Sequence, residues 1–247
     1  MEPDAELQRL IDDCYEAFAD YPRPRVLHAS PLRDPVAILK TLSSAPLREL
    51  TGEQIGPYAG HALTTVGDVD DYKHFLPRIL EQAVRNPIWL GTDPSVIAGS
   101  LIRADWLQWP AYEQAAIRAL FAQAWIHGVQ QHPDEVDPHS WLCGIAILGQ
   151  DLPAALDAWG EAPSPNAGLQ AVHLVTMQAK AIFKDNPDSR GFWGYADEPT
   201  IEAMRQWLLG DAAFKLLSSA SGPPGPVDEW MLDEALSILA TCEARRR

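Results

Sequence analysis

The sequence predicts an all-α protein: an irregular stack of helix upon helix, HEAT-like, with little or no β-structure. Three observations carry this. Apolar residues recur at helical spacing along most of the chain. The pair Asp-Pro, a cap followed by a proline at the first helical position, appears at Asp34-Pro35, Asp93-Pro94 and Asp137-Pro138, with a variant at Glu198-Pro199. Alternating β-branched runs are few. With 247 residues, 47% of them hydrophobic, and nine tryptophans, the chain has ample apolar mass for a core, so it reads as a folded globule. It is expected to form a single helical domain over 1–247, subdivided, if at all, near 90–110.

Taken in order, Leu7, Leu10, Ile11, Cys14 and Phe18 mark one face of a first helix, with Pro3 near its start. A proline-rich connector, 21–35, leads to a short helix through Leu42. Thr51 with Gln54 has the form of a capping box, opening a helix expected to reach about Leu63. Gly67 permits a left-handed turn, and Asp68 stands where the next N-cap belongs, with Asp70 and Asp71 in the first turn against the positive end of the helix dipole. Pro77 leaves two readings open: a kinked helix, or one that starts again near His74 or Phe75. Either way Tyr72, Phe75, Leu76, Ile79 and Leu80 form a buried stripe.

The middle helix, from about Pro110 to Gln131, is apolar on most sides, with polar residues gathered at Glu113, Gln114 and Arg118. Helices are expected over Trp141–Leu148, Asn166–Phe183 and Ile201–Leu217, the last interrupted near Gly210-Asp211. A linker at 221–226 precedes a final amphipathic helix carrying Trp230, Met231, Ala235, Ile238, Leu239 and Cys242. No fixed period recurs, so a regular solenoid is not indicated.

The densest stretch is Tyr58–Glu81, YAGHALTTVGDVDDYKHFLPRILE. It resembles an uncharacterised bacterial family of helical proteins with the pattern Y-A-x-x-A-x-T-T-W-G-D-x-D-D-F-x-H-F-L-P-R-L-L-E. Tyr58, Ala59, Ala62, Thr64, Thr65, Gly67, Asp68, Asp70, Asp71, His74, Phe75, Leu76, Pro77, Arg78, Leu80 and Glu81 match; Val66 replaces tryptophan and Tyr72 replaces phenylalanine. Members carry a cysteine cluster upstream, where this chain has Ala29-Ser30-Pro31-Leu32. The resemblance covers about the first third of the chain. It implies a helical fold and brings no activity.

The net charge is −15 and the sequence pI about 4.7, which disfavours nucleic acid as a partner, since phosphate needs a basic patch. The one basic cluster, Arg245–Arg247, is terminal. Between Arg118 and Lys180 there is no lysine or arginine, while six carboxylates occur: Asp134, Glu135, Asp137, Asp151, Asp157 and Glu161. Such a face attracts basic partners, or simply keeps the protein soluble. No apolar run is long enough for a membrane span and the first residues lack a leader's pattern, so no membrane association and a cytoplasmic location are expected. Cys14, Cys143 and Cys242 are dispersed in apolar helical patterns, which suits buried free thiols.

Three clusters could carry chemistry. Asp68-Val69-Asp70-Asp71 has the form of the proton-donating motif of class II terpene cyclases, and His74 lies within helical reach as an oriented base; equally, these groups could cap and anchor a helix. His127, His132, Asp134, Glu135, Asp137, His139 and Cys143 gather metal-capable groups, but His127 and His132 are five apart and point differently, so no metal is expected. Gly191-Phe192-Trp193-Gly194-Tyr195 is a glycine-flanked aromatic loop, either a binding anchor through Trp193 and Tyr195 or a cover folded over a groove.

No GxSxG, Gly-rich phosphate loop or HExxH is present, so no catalytic residue and no cofactor is expected. The function these features indicate is an acidic protein-interaction module, such as an immunity protein that neutralises a bacterial toxin. Its partner would be a basic protein, met by Asp134, Glu135, Asp137, Trp193 and Tyr195. The alternative is a small-molecule enzyme built on Asp68, Asp70, Asp71 and His74.

Overall fold

In the computed structural model of the chain, residues 1–86, 89–220 and 229–246 are described. The 221–226 segment and the side chains of Trp230 and of Arg245–Arg247 lie outside the described residues. The described residues form an all-α protein, whose only β-contacts are two isolated bridges, Ala29 with Val66 and Ala62 with Val66. None of their helices is long and apolar enough to cross a membrane. The chain divides into two compact units, Met1–Gln123 and Ala124–Arg247. The division falls inside the middle helix rather than near 90–110. There Asp93-Pro94 opens a helix that buries Ile97, Ala98 and Leu101, so the segment belongs to the interior of the first unit.

In the first unit, α1 (Ala5–Ala17) starts on Asp4, whose carboxylate accepts the Leu7 N–H at 2.8 Å. Leu7, Leu10, Ile11, Cys14 and Phe18 are all buried, as their spacing predicts. Helix α2 (Pro35–Leu42) opens on Asp34, and α3 (Gly52–Ala59) on a Thr51–Gln54 capping box formed in both directions. Helix α3 ends four residues short of Leu63. The backbone of Ala59 and Gly60 presses against Gly91, where a Cβ would fall 2.1 Å from the Gly60 nitrogen, and the chain must turn away there.

Leu63 and Gly67 then adopt positive φ (62° and 72°), and α4 (Val69–Arg85) begins. Its Asp68 cap is reciprocal: Asp68 accepts the Asp71 N–H at 3.0 Å and Asp71 accepts the Asp68 N–H at 3.1 Å. The helix runs through Pro77 without restarting near His74 or Phe75. Proline in a helix interior costs about 3 kcal/mol. Here the buried Tyr72, Phe75, Leu76, Ile79 and Leu80 hold both halves against α1 and α3, and that burial outweighs the cost. Helix α5 (Pro94–Arg103) follows, then α6 (Ala111–Gly128), which carries the chain into the second unit.

The second unit holds α7 (His139–Ile147), α8 (Leu152–Glu161) and α9 (Pro165–Leu174). Helix α9 passes through a wider π-turn, Val175–Ala179, into the short α10 (Lys180–Ile182), so the helix expected over 166–183 is three joined pieces. Then come α11 (Glu198–Leu208), α12 (Asp211–Ser219) and α13 (Glu229–Arg246). Three starts differ from expectation. Pro138, not Asp137, stands at the cap of α7, which begins one residue later than the Asp-Pro pattern places it. Asp197, not Glu198, caps α11 through the Thr200 N–H, and α8 had no sequence signal read for it although Asp151 caps it through Ala154. The core is aromatic: Trp159 stacks on Trp207 with centroids 5.1 Å apart and meets Trp125 edge-on at 5.0 Å. Each such pair adds about 0.5–1.5 kcal/mol beyond area burial. All three cysteines are buried and none is in a disulfide. Burial, with Asp13 adding to it, pushes the Cys14 thiol up to about 12, consistent with an inert structural group.

Candidate functional site

The Tyr58–Glu81 stretch holds its aspartates in structural work. Asp68 and Asp71 cap each other's backbone, and burial raises the Asp71 carboxyl above its ordinary value. Asp70 is exposed. His74 does not pair with them: its Nδ1 lies 2.8 Å from the carbonyl of Tyr21, which anchors the connector after α1. Since a carbonyl only accepts, the proton is assigned to Nδ1, and burial lowers the ring's affinity for a second one.

The chemistry of this stretch lies instead at Lys73. Its Nζ is 2.8 Å from Glu113 Oε2 and donates to the Tyr21 hydroxyl at 2.8 Å; that hydroxyl donates to Glu113 Oε1 at 2.7 Å. The ammonium also lies 4.1 Å from the Trp109 ring centre. Glu113 is wholly buried and Lys73 is 5% exposed, so this is a closed ion pair inside the first unit. Lys73 drew no expectation from the sequence, and Glu113, grouped there with the polar residues of the middle helix, is instead wholly buried. Lys73 shares a helical line with Leu76, Pro77 and Leu80, and Glu113 shares one with Ile117, Leu120 and Phe121; those spacings were the available signal. Two charges so enclosed, with every donor engaged, leave no group free to bind or react.

The second unit is arranged differently. The six carboxylates between Arg118 and Lys180 all lie on exposed residues, Asp134, Glu135 and Asp137 on the loop before α7. The aromatic loop is a short 3₁₀ turn, Gly191–Tyr195, packed against α7. Its two candidates part company. Trp193 is 2% exposed and belongs to the core, whereas Tyr195 is 72% exposed. Behind them Arg190 is buried and forked onto the Glu198 carboxylate at 2.6 and 3.2 Å. Thus Trp193 and Arg190 fix the turn, and Tyr195 stands on its surface.

The histidines also sort in a way that spacing along the chain did not foretell. His132 turns to Asp134, 3.5 Å away. Asp137 and His139, at the start of α7, meet His173 of α9, and one ligand atom from each lies within 4.8 Å of the others. His139 is 3% exposed. Its Nε2 is 3.1 Å from the carbonyl of Gln170 and its Nδ1 is 2.9 Å from Asp137 Oδ1. Despite that distance, Nδ1 meets no partner in hydrogen-bond geometry, and Nδ1 of His173 is likewise buried without one. The arrangement is held by Gln170, whose side-chain amide donates to the carbonyls of Gln131 and Val136 and so ties the loop to α9. Burial works against the charge on Asp137, but His139 and His173 outweigh it and hold the carboxyl at about 2. His173 is lowered by burial and by His139 beside it. His173 was absent from the sequence reading because it lies outside the 127–143 window.

Elsewhere in this unit a cleft of 790 Å³ opens between α10 and α13, with Lys180 and Lys184 on one side and Glu234 on the other. No protein-family model matches the chain, and no curated protein or solved structure shows significant similarity to it. The motif at residues 58–81 therefore stands on its own residues.

Proposed function

We propose that the chain is an acidic protein-interaction module that binds a basic protein, in the manner of an immunity protein that neutralises a bacterial toxin. One observation carries the reading: every carboxylate in the cation-free span from Arg118 to Lys180 lies on an exposed residue. Helix α7 then links two kinds of contact. Asp134 and Glu135 lie on the loop that leads into it, and the turn bearing exposed Tyr195 packs on it. Charges of this kind steer a basic partner and speed its encounter, while an exposed tyrosine anchored by a buried tryptophan slows its release. The same field repels phosphate, which argues against nucleic acid. The reading places the protein in the cytoplasm, where three thiols outside any disulfide persist.

The test is kinetic. A partner is captured from the native host and its association is followed by stopped flow against the wild type and against a variant with Asp134→Asn, Glu135→Gln, Asp151→Asn and Asp157→Asn. The on-rate should fall about tenfold or more in the variant and lose its salt dependence. Tyr195→Ala should raise the off-rate with little change in the on-rate. An identical on-rate for variant and wild type at every salt concentration refutes the reading.

A further inference from the structure

We propose that Asp137, His139 and His173 form a binding site for one divalent transition-metal ion. The inference does not rest on the acidic-surface reading and stands or falls without it.

His139 is held between two oxygen atoms. Its Nε2 lies 3.1 Å from the Gln170 carbonyl, an acceptor only, so that nitrogen carries the ring's proton. In the neutral ring Nδ1 is then a bare lone pair, and it lies 2.9 Å from a carboxylate oxygen of Asp137. Two lone pairs at that distance repel unless a positive centre sits with them. A proton on Nδ1 is one such centre and makes an ion pair with Asp137, although outside hydrogen-bond geometry. A metal ion is the other, and it explains the third group. His173 brings a second imidazole to the same point, and its own buried Nδ1 also lacks a partner.

Two imidazoles and one carboxylate are a donor set suited to zinc and its neighbours, with a coordination position left for water. The outer arrangement fits as well. A metal-bound histidine commonly donates its other N–H to a backbone carbonyl, as His139 does to Gln170. Gln170 stands one helical turn before His173 and clamps the 131–136 loop, so a single buried residue ties the start of α7 to α9. Access exists, since the Asp137 side chain is 56% exposed. Magnesium, which prefers an all-oxygen shell, is disfavoured by the two nitrogens.

The full chain, stripped with chelator and desalted, is titrated with Zn²⁺ and, as a visible probe, with Co²⁺. One ion per chain is expected, with a cobalt band in the visible that zinc abolishes and magnesium leaves intact. Asp137→Asn and His173→Gln should each weaken binding by more than about 100-fold, because loss of an outer partner alone costs about 10–100-fold. Asp134→Asn with Glu135→Gln should bind like the wild type. Imidazole ¹⁵N spectra of the wild type supply a readout that needs no variant: zinc should shift the nitrogens of His139 and His173. Failure of the wild type to take up either ion overturns the proposal, as does wild-type affinity in both ligand variants. Zinc shifts confined to His127 or His132 overturn it too, and displacement of cobalt by magnesium overturns the choice of metal class.

Discussion

Two buried polar clusters, one in each unit, are completed differently. In the first, Lys73 and Glu113 are enclosed with Tyr21 and Trp109, and each charged atom has its partner inside the protein. In the second, His139 is just as deeply enclosed, yet its Nδ1 and that of His173 reach no hydrogen-bond partner, and the two rings converge with a carboxylate. Enclosure alone therefore does not mark a site. A completed network fixes a fold, whereas an incomplete one leaves coordination capacity. The most function-like sequence stretch, the aspartate triplet with its histidine, uses Asp68 and Asp71 in a cap and His74 Nδ1 as an anchor.

The contrast is broken most severely through the closed pair. Lys73→Met or Glu113→Leu alone strands an opposite charge in the core and should cost about 3–5 kcal/mol of stability in denaturant unfolding. The double variant, which removes both charges, should recover most of that loss. A double variant no better than the singles would show that the pair is not a coupled unit.

Trp193→Ala is expected to cost about 3–5 kcal/mol because the ring is core. Tyr195→Ala, at the exposed end of the same turn, should lie within about 0.5 kcal/mol of wild type. Equal losses at the two positions would contradict the division of the turn into support and anchor. Asp68→Ala removes one half of a reciprocal cap and should cost about 0.5–2 kcal/mol; an unchanged unfolding midpoint would refute the cap. In metal-free protein Asp137→Asn should cost about 1 kcal/mol or less, since the side chain is more than half exposed and solvent screens its pairing with His139.

The smallest effect concerns pH. Burial depresses His74 below its ordinary value of 6.5, with the Tyr21 carbonyl opposing it. The unfolded chain then binds the proton more readily than the folded one. The stability His74 allows is full above 6.5 and declines as pH falls below that value. His74→Gln should flatten this part of the profile, measured by unfolding between pH 7.5 and about 5.5. A profile as steep as the wild type's would assign the slope to other groups.

What was legible in the sequence was local. The Thr51 and Asp68 capping boxes, the Asp34 and Asp93 starts and the stripe from Tyr72 to Leu80 depend on residues a turn apart, and the helices follow them. What escaped was long-range. Lys73 finds Glu113 forty residues away, and His139 finds His173 across three helices, so no window along the chain brings them together. Close spacing was misleading in the same way: His127 and His132 stood out because they are near each other and near acids, while the fold selected a histidine from a distant helix. Helix α8 carries the same kind of local signal, an Asp151 cap with a proline in the first turn, where proline is harmless.

The contrast between the units is tested most directly by hydrogen exchange on the wild-type chain with and without one equivalent of zinc. An ion held by Asp137, His139 and His173 stabilises what it binds, so amides in 137–143 and 170–176 should exchange more slowly when zinc is present. Those in 69–85 and 111–117, around the closed Lys73–Glu113 pair, should be unchanged. Unaltered exchange over 137–143 and 170–176, or equal slowing around Lys73 and Glu113, would contradict the account.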